Sequence, residues 1–267
     1  MLKFISFGSG SSGNCYYLYN DTEGLIIDAG VGVRTLKKYL NQYGLSFKNL
    51  KYVLITHDHA DHIKSVGSIS NDYELDVYST QNVHAGIDRN YCVKKKIAAT
   101  RKHYVKPGEA FVLGRFTVTA FHVPHDSTDN VGYKVTYDGM TFTLMTDVGH
   151  VTDEMKQIIG ESDYLVIEAN HDLEMLQRGN YPEYLKKRIT CGTGHLNNVA
   201  CANALVENAT QRLKHVWLCH LSEENNHPDL ALKTIEEVLR SNGIVAGKDF
   251  ELDVLRRTSP TGVYELK

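Results

Sequence analysis

The first 80 residues alternate between apolar and polar positions, and one segment has the spacing of a helix. Alternation and short apolar runs predict strands over residues 3–7, 15–19, 24–29, 52–56 and 76–79. Leu36, Tyr39, Leu40 and Tyr43 recur at i, i+3, i+4 and i+7, which predicts a helix over residues 34–43 with Gly44 as its C-cap. A strand-rich opening followed by alternating helices and strands is typical of the α/β class.

The remaining chain repeats this succession. Further strands are predicted over residues 116–123, 131–137, 140–146, 163–169, 215–221 and 250–255. Asp138 and Gly139 separate two of them and are typical of a tight hairpin. Helices are predicted from about residue 82 and over residues 153–159, 199–209 and 228–241. We interpret residues 1–267 as one domain of two packed halves, about 1–150 and 151–267.

Composition and charge exclude several classes of protein. Of the 267 residues, 42% are hydrophobic and 23% charged, as in ordinary globular proteins. The formal charge of −3 excludes a polycation that binds nucleic acid nonspecifically over its whole surface. No run approaches 18 apolar residues, so no membrane span is expected. The five cysteines are odd in number and none forms a CxxC pair, so we expect a reduced, cytoplasmic protein without a disulfide framework.

The positions of several of the 13 histidines point to metal chemistry. Thr56 is followed by the sequence HDHADH, directly after the apolar strand YVLIT. Imidazoles and carboxylates in one turn suit divalent metals such as zinc. In an extended or turning chain, His57 and His59 project to the same side, so they can share one ion. Asp61 and His62 lie one step further and can reach a second ion.

Other ligand-type residues also follow apolar strands. They are His125, Asp147, Glu168 and His220. Each one alone has a structural alternative, a helix-capping carboxylate or a hydrogen-bonded core histidine. Residues that follow several strands of one sheet converge in space, so together they predict a site.

These motifs resemble those of a known family. HDHADH resembles the HxHxDH signature of the metallo-β-lactamase superfamily, and His125, Asp147 before Gly, and His220 follow in that superfamily's order. GSGSSGN, VPHDSTDNVGY, TDVGHVT, EANHD, GHLNN and HLSEENNHPDL are similar to the YycJ/WalJ-type branch, which is itself similar to the ribonuclease Z and ribonuclease J nucleases. The resemblance covers nearly the whole chain and implies a four-layer αββα sandwich.

The resemblance also implies a ligand set for two divalent ions. His57, His59 and His125 would bind the first ion, Asp61, His62 and His220 the second, and Asp147 would bridge both. Zinc is the expected metal, with manganese as the alternative. Two such ions can share a hydroxide that attacks phosphorus. Asp61 is therefore expected to act in catalysis as well as in metal binding.

Two further groups of residues have open assignments. By the resemblance, His195 in GHLNN protonates the leaving oxygen or holds the phosphate, beside Asn197, where the branch usually has serine. Glu168 either orients His195 or is structural, and His171 either approaches the substrate or is structural. The loop residues Ser9, Ser11, Ser12 and Asn14 either bind a phosphate or satisfy the backbone of a turn.

Three functions are compatible with these predicted metal ligands and their neighbouring residues. The first is a dinuclear metal-dependent phosphodiesterase, and the resemblance implies a DNA or RNA nuclease that works from the 5′ end. The second is a small-molecule hydrolase of the same fold, acting on a cyclic nucleotide, another phosphodiester or a lactone. The third is a non-enzymatic protein with a structural metal, but seven candidate ligands exceed the four that such a site needs.

Overall fold

A computed structural model describes all 267 residues of the protein. The strands are β1 Leu2–Gly8, β2 Cys15–Tyr19, β3 Gly24–Ile27, β4 Leu50–Leu54, β5 Asp76–Ser79, β6 Lys102–Tyr104, β7 Ala110–Leu113, β8 Phe116–His122, β9 Val131–Tyr137, β10 Met140–Met145, β11 Tyr164–Glu168, β12 His215–Cys219, β13 Glu251–Val254 and β14 Tyr264–Leu266. The α-helices are α1 Val33–Gln42, α2 Ala60–Ile63, α3 Val66–Tyr73, α4 Gln81–Arg89, α5 Asp153–Glu161, α6 Leu173–Arg178, α7 Glu183–Thr190, α8 Asn198–Asn208 and α9 Pro228–Ser241. No helix is long and apolar enough to cross a membrane.

The first sheet has seven strands in the order β14-β1-β2-β3-β4-β5-β6. Strands β1, β2 and β3 form an antiparallel meander, with Phe4 opposite Leu18 and Tyr17 opposite Ile26. From β3 to β6 every pair is parallel. The carboxyl ends of β3 and β4 therefore lie at one edge, and the metal motif follows β4.

The second sheet also has seven strands, in the order β13-β12-β11-β10-β9-β8-β7. Strands β9 and β10 form the expected hairpin, and its two turn residues, Asp138 at φ 49° and Gly139 at φ 81°, both have the positive φ of a type I′ turn. Strands β10 to β13 pair in parallel. The carboxyl ends of β10, β11 and β12 thus share one edge.

The chain divides into two compact units. Unit 1 comprises Met1–Ala120, Ser127–Asn130 and Arg256–Lys267, and unit 2 comprises Phe121–Asp126 and Val131–Leu255. The core of unit 1 joins apolar strand residues to residues of α1, α3 and α4, such as Leu40, Ile69 and Ile87. The core of unit 2 joins its strands to α5, α8 and α9 in the same way. The interpretation of both halves as one packed domain stays a prediction.

The α/β fold class predicted from the sequence is confirmed, and the differences concern weakly patterned elements. Strands β6 and β7 were not predicted because they are short and only partly buried. Strand β14 escaped prediction because its partner β1 lies at the other end of the sequence. Helix α1 ends at Gln42 with Tyr43 as its C-cap, one residue before the predicted Gly44, whose φ of 68° is the left-handed conformation that glycine adopts without strain.

Candidate metal centre

The metal motif occupies the turn after β4 in unit 1. We call His57, His59, Asp61 and His62 the motif cluster. His57 follows the strand, His59 is the extended N-cap residue of α2, and Asp61 and His62 lie within that short helix. The ring centroid of His57 is 4.7 Å from that of His59 and 4.0 Å from that of His62. The Asp61 carboxylate is 3.5 Å from Nε2 of His62, so the four side chains form one group.

A carboxylate that the sequence analysis overlooked orients this cluster. Asp28 follows β3, is fully buried, and accepts hydrogen bonds from the backbone N–H and the hydroxyl of Thr56 at 2.9 Å. It also lies 2.7 Å from Nδ1 of His62. The signal was available, because Asp28 directly follows the apolar run GLII, as other candidate ligands follow their strands.

Asn14 fixes which nitrogen of His62 carries the proton. The side-chain oxygen of Asn14 accepts hydrogen bonds from Gly10 N–H at 2.8 Å and from the Tyr16 hydroxyl at 3.2 Å. Its amide nitrogen therefore faces Nε2 of His62, at 2.9 Å. Since that amide nitrogen is a donor, Nε2 is the acceptor, and the ring proton is on Nδ1, donated to Asp28. The lone pair of Nε2 is the one suited to a metal.

The same reasoning applies to His57. Its Nδ1 lies 3.0 Å from the hydroxyl oxygen of Thr56. The single hydroxyl proton of Thr56 is directed to Asp28, so the oxygen accepts from Nδ1–H of His57. Asp28 consequently orients two imidazoles, one directly and one through Thr56.

The GSGSSGN loop has two kinds of serine. Ser9 is buried and its hydroxyl lies 3.0 Å from that of Tyr16, so it belongs to the packing beneath Asn14. Ser11 and Ser12 are exposed, and the carbonyl of Ser12 accepts a hydrogen bond from the ammonium group of Lys64.

A second group of ligand-type residues lies in unit 2, where three parallel strands end. Asp147 comes two residues after β10, Glu168 ends β11, and His220 follows β12. We call the following side chains, whose ligand-type atoms all lie within 4.8 Å of one another, the strand-end cluster: Asp147, Glu168, His195 and His220. His195 comes from the loop between α7 and α8.

Glu168 is the buried centre of the strand-end cluster. Its Oε1 lies 2.8 Å from Nδ1 of His195 and 3.0 Å from Nδ1 of His220, and Oε2 accepts from the backbone N–H groups of Val148 and Leu196. Burial alone would raise the pKa of Glu168, but the charge and hydrogen bond of His195, with the bond from His220, outweigh it and hold the pKa low. Glu168 is therefore an anion that receives the Nδ1–H of both imidazoles.

His195 is the imidazole that this anion affects most. Its burial lowers the pKa, but the charge of Glu168 and the hydrogen bond to it raise the pKa above the ordinary value. With Nδ1 bound to Glu168, its remaining nitrogen, Nε2, is the atom that can exchange a proton with a substrate.

His125, also in unit 2, has its tautomer set by the backbone. Nδ1 lies 3.0 Å from the carbonyl oxygen of Gly194, which can only accept, so Nδ1 carries the proton. The lone pair on Nε2 is then 3.6 Å from Oδ1 of Asp147 and 3.5 Å from Oδ1 of Asp126. A lone pair and two carboxylate oxygens that face one another at this distance suit a bound cation, so these three atoms fit a divalent metal.

The remaining predicted residues lie near α8. The side-chain oxygen of Asn197 accepts from the N–H of Ala200, so Asn197 is the N-cap of α8. His171 pairs with Asn197 in an isolated β-bridge and is buried. Asn170 was not predicted; its amide donates to the carbonyl of His220 at 2.8 Å and holds that residue in place.

Backbone strain accompanies three of these residues. Asp28, Asp147 and His220 have φ values of 65°, 57° and 54°, in the left-handed region that non-glycine residues rarely adopt. All three come directly or nearly directly after a buried strand. Such strain, about 1–3 kcal/mol per residue, persists where the surroundings hold it and is concentrated at functional sites.

Comparison with known proteins places this geometry in a family. The family model described as a beta-lactamase superfamily domain matches residues 24–220, which contain all seven predicted metal ligands. The chain belongs to the β-lactamase superfamily. An exodeoxyribonuclease YycJ of Bacillus anthracis is 32% identical over 262 residues, 98% of either chain. An exodeoxyribonuclease WalJ of Streptococcus pneumoniae serotype 2 is 34% identical over 250 residues, 94% of this chain and 93% of the relative.

Two solved structures have the same fold as this chain. Zinc-bound PqqB from Methylobacterium extorquens superposes with a TM-score of 0.73 at 15% identity, over 99% of this chain and 100% of that one. The metallo-β-lactamase fold protein YhfI from Bacillus subtilis superposes with a TM-score of 0.72 at 18% identity, over 99% of each chain. The predicted superfamily, branch and sandwich fold are confirmed, and this superfamily member is a metal-dependent hydrolase.

Proposed function

We propose that this protein is a dinuclear metal-dependent phosphodiesterase that degrades nucleic acid as a 5′-to-3′ exonuclease. The observation that carries the proposal is the common tautomer of four histidines. His57, His62, His125 and His220 each direct Nδ1–H to a protein acceptor, which leaves the lone pair on Nε2. Neutral, oriented imidazoles with carboxylates beside them are the ligands that zinc and related ions require.

The proposed ligands come from both clusters. His57, His59 and His125 would bind one ion, Asp61, His62 and His220 the other, and Asp147 would bridge them. Zinc is the first choice because five of these seven ligands are imidazoles, and manganese is the second because two carboxylates are also present. When bound, the ions would activate a water for attack on phosphorus and neutralise the charge that develops.

The chain's own residues would serve the leaving group. In the proposed reaction the oxygen of water loses a proton to solvent and bonds to phosphorus, and the P–O3′ bond breaks, leaving its electron pair on O3′. His195 would supply the proton that O3′ takes up, from Nε2, since Nδ1 is held by Glu168 at 2.8 Å. The anionic Glu168 stabilises the protonated imidazole before transfer. The bridging Asp147 and the ligand Asp61 would set the position of the attacking water.

The relatives support the choice of substrate. Both the Bacillus anthracis and the Streptococcus pneumoniae proteins are named exodeoxyribonucleases, and this chain aligns with them over more than nine-tenths of its length. We therefore propose DNA as the first substrate to test. We also propose a cytoplasmic location, where a protein with five free cysteines, three of them buried, would remain reduced.

The test combines metal analysis with a nuclease assay. We expect two divalent ions per chain by elemental analysis, and release of mononucleotides from labelled single- and double-stranded DNA that stops with a chelator and returns with zinc or manganese. Asp147→Asn should lose activity, whereas the control Asp163→Asn should retain it, because Asp163 is a buried carboxylate that contacts Thr141 and Arg212 instead. Full activity of Asp147→Asn, or turnover of a cyclic nucleotide but of no DNA or RNA, would contradict the proposal.

A further inference from the structure

Unit 2 contains a cleft whose lining includes His195 and several residues that have no role in the proposed chemistry. Its volume is about 350 Å³, at the lower end of the range for small-molecule sites. Apolar side chains form much of the wall, among them Leu173, Leu196 and Ala200. No lysine, arginine, aspartate or glutamate lines the cleft, so the part of it away from His195 suits a neutral group rather than a phosphate.

A buried histidine in the lining of this cleft has no hydrogen-bond partner. His171 is only 1% exposed, and neither Nδ1 nor Nε2 forms a hydrogen bond. Its backbone is fixed, since its carbonyl accepts from Asn198 N–H at 3.0 Å and it pairs with Asn197. Buried polar groups in proteins almost always have partners, and an exception needs an explanation. A ligand that occupies the cleft would supply one.

The ring of His171 has the chemistry of a selective contact. Burial lowers its pKa to about 4, so the imidazole is neutral at pH 7 and has one N–H donor and one acceptor nitrogen. The edge of a nucleobase likewise carries donors and acceptors in one plane, and its faces are apolar enough to lie against aliphatic walls. A sugar or phosphate would not combine these two properties.

We propose that the cleft binds the nucleobase of the departing nucleotide, with the base edge directed to His171 and its faces against Leu173 and Ala200. This inference rests on the proposed nuclease function, because His195, which would protonate O3′, lines the same cleft. The nucleotide that carries O3′ is the one released, so its base lies on the His195 side.

The test compares DNA strands that differ only in the terminal base. Wild-type protein should cut a strand with a natural 5′-terminal nucleotide with a kcat/KM about tenfold higher than a strand with an abasic 5′ terminus. Ala200→Leu, which fills the cleft from the half-buried face of α8, should bring this ratio close to one. Glu207→Leu is the matched control on the same helix, because Glu207 is exposed and does not line the cleft; it should keep the wild-type ratio.

A second variant tests the histidine itself. His171→Phe keeps an aromatic ring at this position but removes both nitrogens, so it should lower the ratio of natural to abasic cleavage. Thermal unfolding of each variant shows that it is folded. Equal cleavage of natural and abasic strands by wild-type protein would overturn the cleft proposal and leave the nuclease function standing.

If the nuclease assay shows no activity, a nucleotide-binding assay tests the cleft proposal independently of the proposed nuclease function. If wild-type protein cuts no strand, the nuclease function fails, and the cleft is judged by equilibrium dialysis with deoxyadenosine 5′-monophosphate and 2-deoxyribose 5-phosphate. Preference for the nucleotide that is lost in Ala200→Leu and kept in Glu207→Leu would support the cleft. Equal binding of both probes by wild-type protein would overturn it.

Discussion

Asp28→Asn should disturb the metal centre although Asp28 is not a proposed ligand. Asparagine keeps the shape of the side chain but replaces one acceptor oxygen with a donor NH₂ group. The Thr56 N–H still requires the remaining oxygen, so the new NH₂ group faces Nδ1 of His62. The His62 proton must then move to Nε2, where the amide of Asn14 already donates at 2.9 Å.

Two quantities follow from this reversal. Whichever way the side-chain amides at positions 14 and 28 rotate, two buried donors remain in contact. This contact should lower the unfolding free energy of metal-free protein by about 1–3 kcal/mol. A proton on Nε2 also removes the lone pair of His62, and loss of an orienting partner of this kind lowers metal affinity by about 10–100-fold. That fall corresponds to about 1.4–2.7 kcal/mol of binding free energy.

The assay measures both quantities separately. Urea unfolding of metal-free protein gives the free energy of unfolding, and competition with a chromophoric zinc chelator gives the zinc dissociation constants of the two proposed sites. Asp163→Asn is the matched control, since it also changes a buried aspartate that accepts a backbone N–H, from Thr141, and an Arg212 hydrogen bond. It should reduce stability and leave zinc affinity unchanged. Wild-type zinc affinity at both proposed sites in Asp28→Asn would refute the assignment of the His62 proton to Nδ1.

Three further predictions concern single residues. As pH falls from 6.5 to 4, the free energy of unfolding of wild-type protein, measured in urea, should fall by up to about 3 kcal/mol more than that of His171→Phe, because only the unfolded state protonates His171 in this window; an equal pH dependence of the two proteins would contradict the lowered pKa of His171. Glu168→Gln should lower kcat on labelled DNA about 10–100-fold, since His195 loses its anionic partner; an unchanged kcat would exclude that role. Glu74→Gly should stabilise the protein by about 0.5–1 kcal/mol in the same unfolding assay, because Glu74 is exposed at φ 58°; a loss of stability would show that no strain is released.

Much of the site could be predicted because polar residues after apolar strands are visible in sequence. His57, Asp147 and His220 were found in this way, and the parallel pairing of the strands explains why the rule works. Asp28 satisfies the same rule, because it directly follows β3, although it lies one strand before the HDHADH motif.

The orientation of the imidazoles could not be predicted from sequence. Asn14 was expected to bind phosphate or to stabilise a turn, and the structure shows that its amide fixes a histidine 48 positions away. The role depends on Gly10 and Tyr16, which hold the side-chain oxygen of Asn14. Such hydrogen-bond chains join distant segments and leave no periodic pattern in the sequence.

The segmented build of unit 1 has a consequence for the newly made chain. Strand β1 needs β14 on its outer edge, and Ser6 and Thr261 exchange hydrogen bonds across 255 positions. At about 5–20 residues per second, translation leaves that strand edge open for roughly 10–50 s. The hydroxyl of Tyr43, which donates to the Thr261 carbonyl, also lacks its acceptor for most of this time. The nascent protein thus emerges with an exposed edge that can pair wrongly, and residues 256–267 close it only after all of unit 2 has been synthesised.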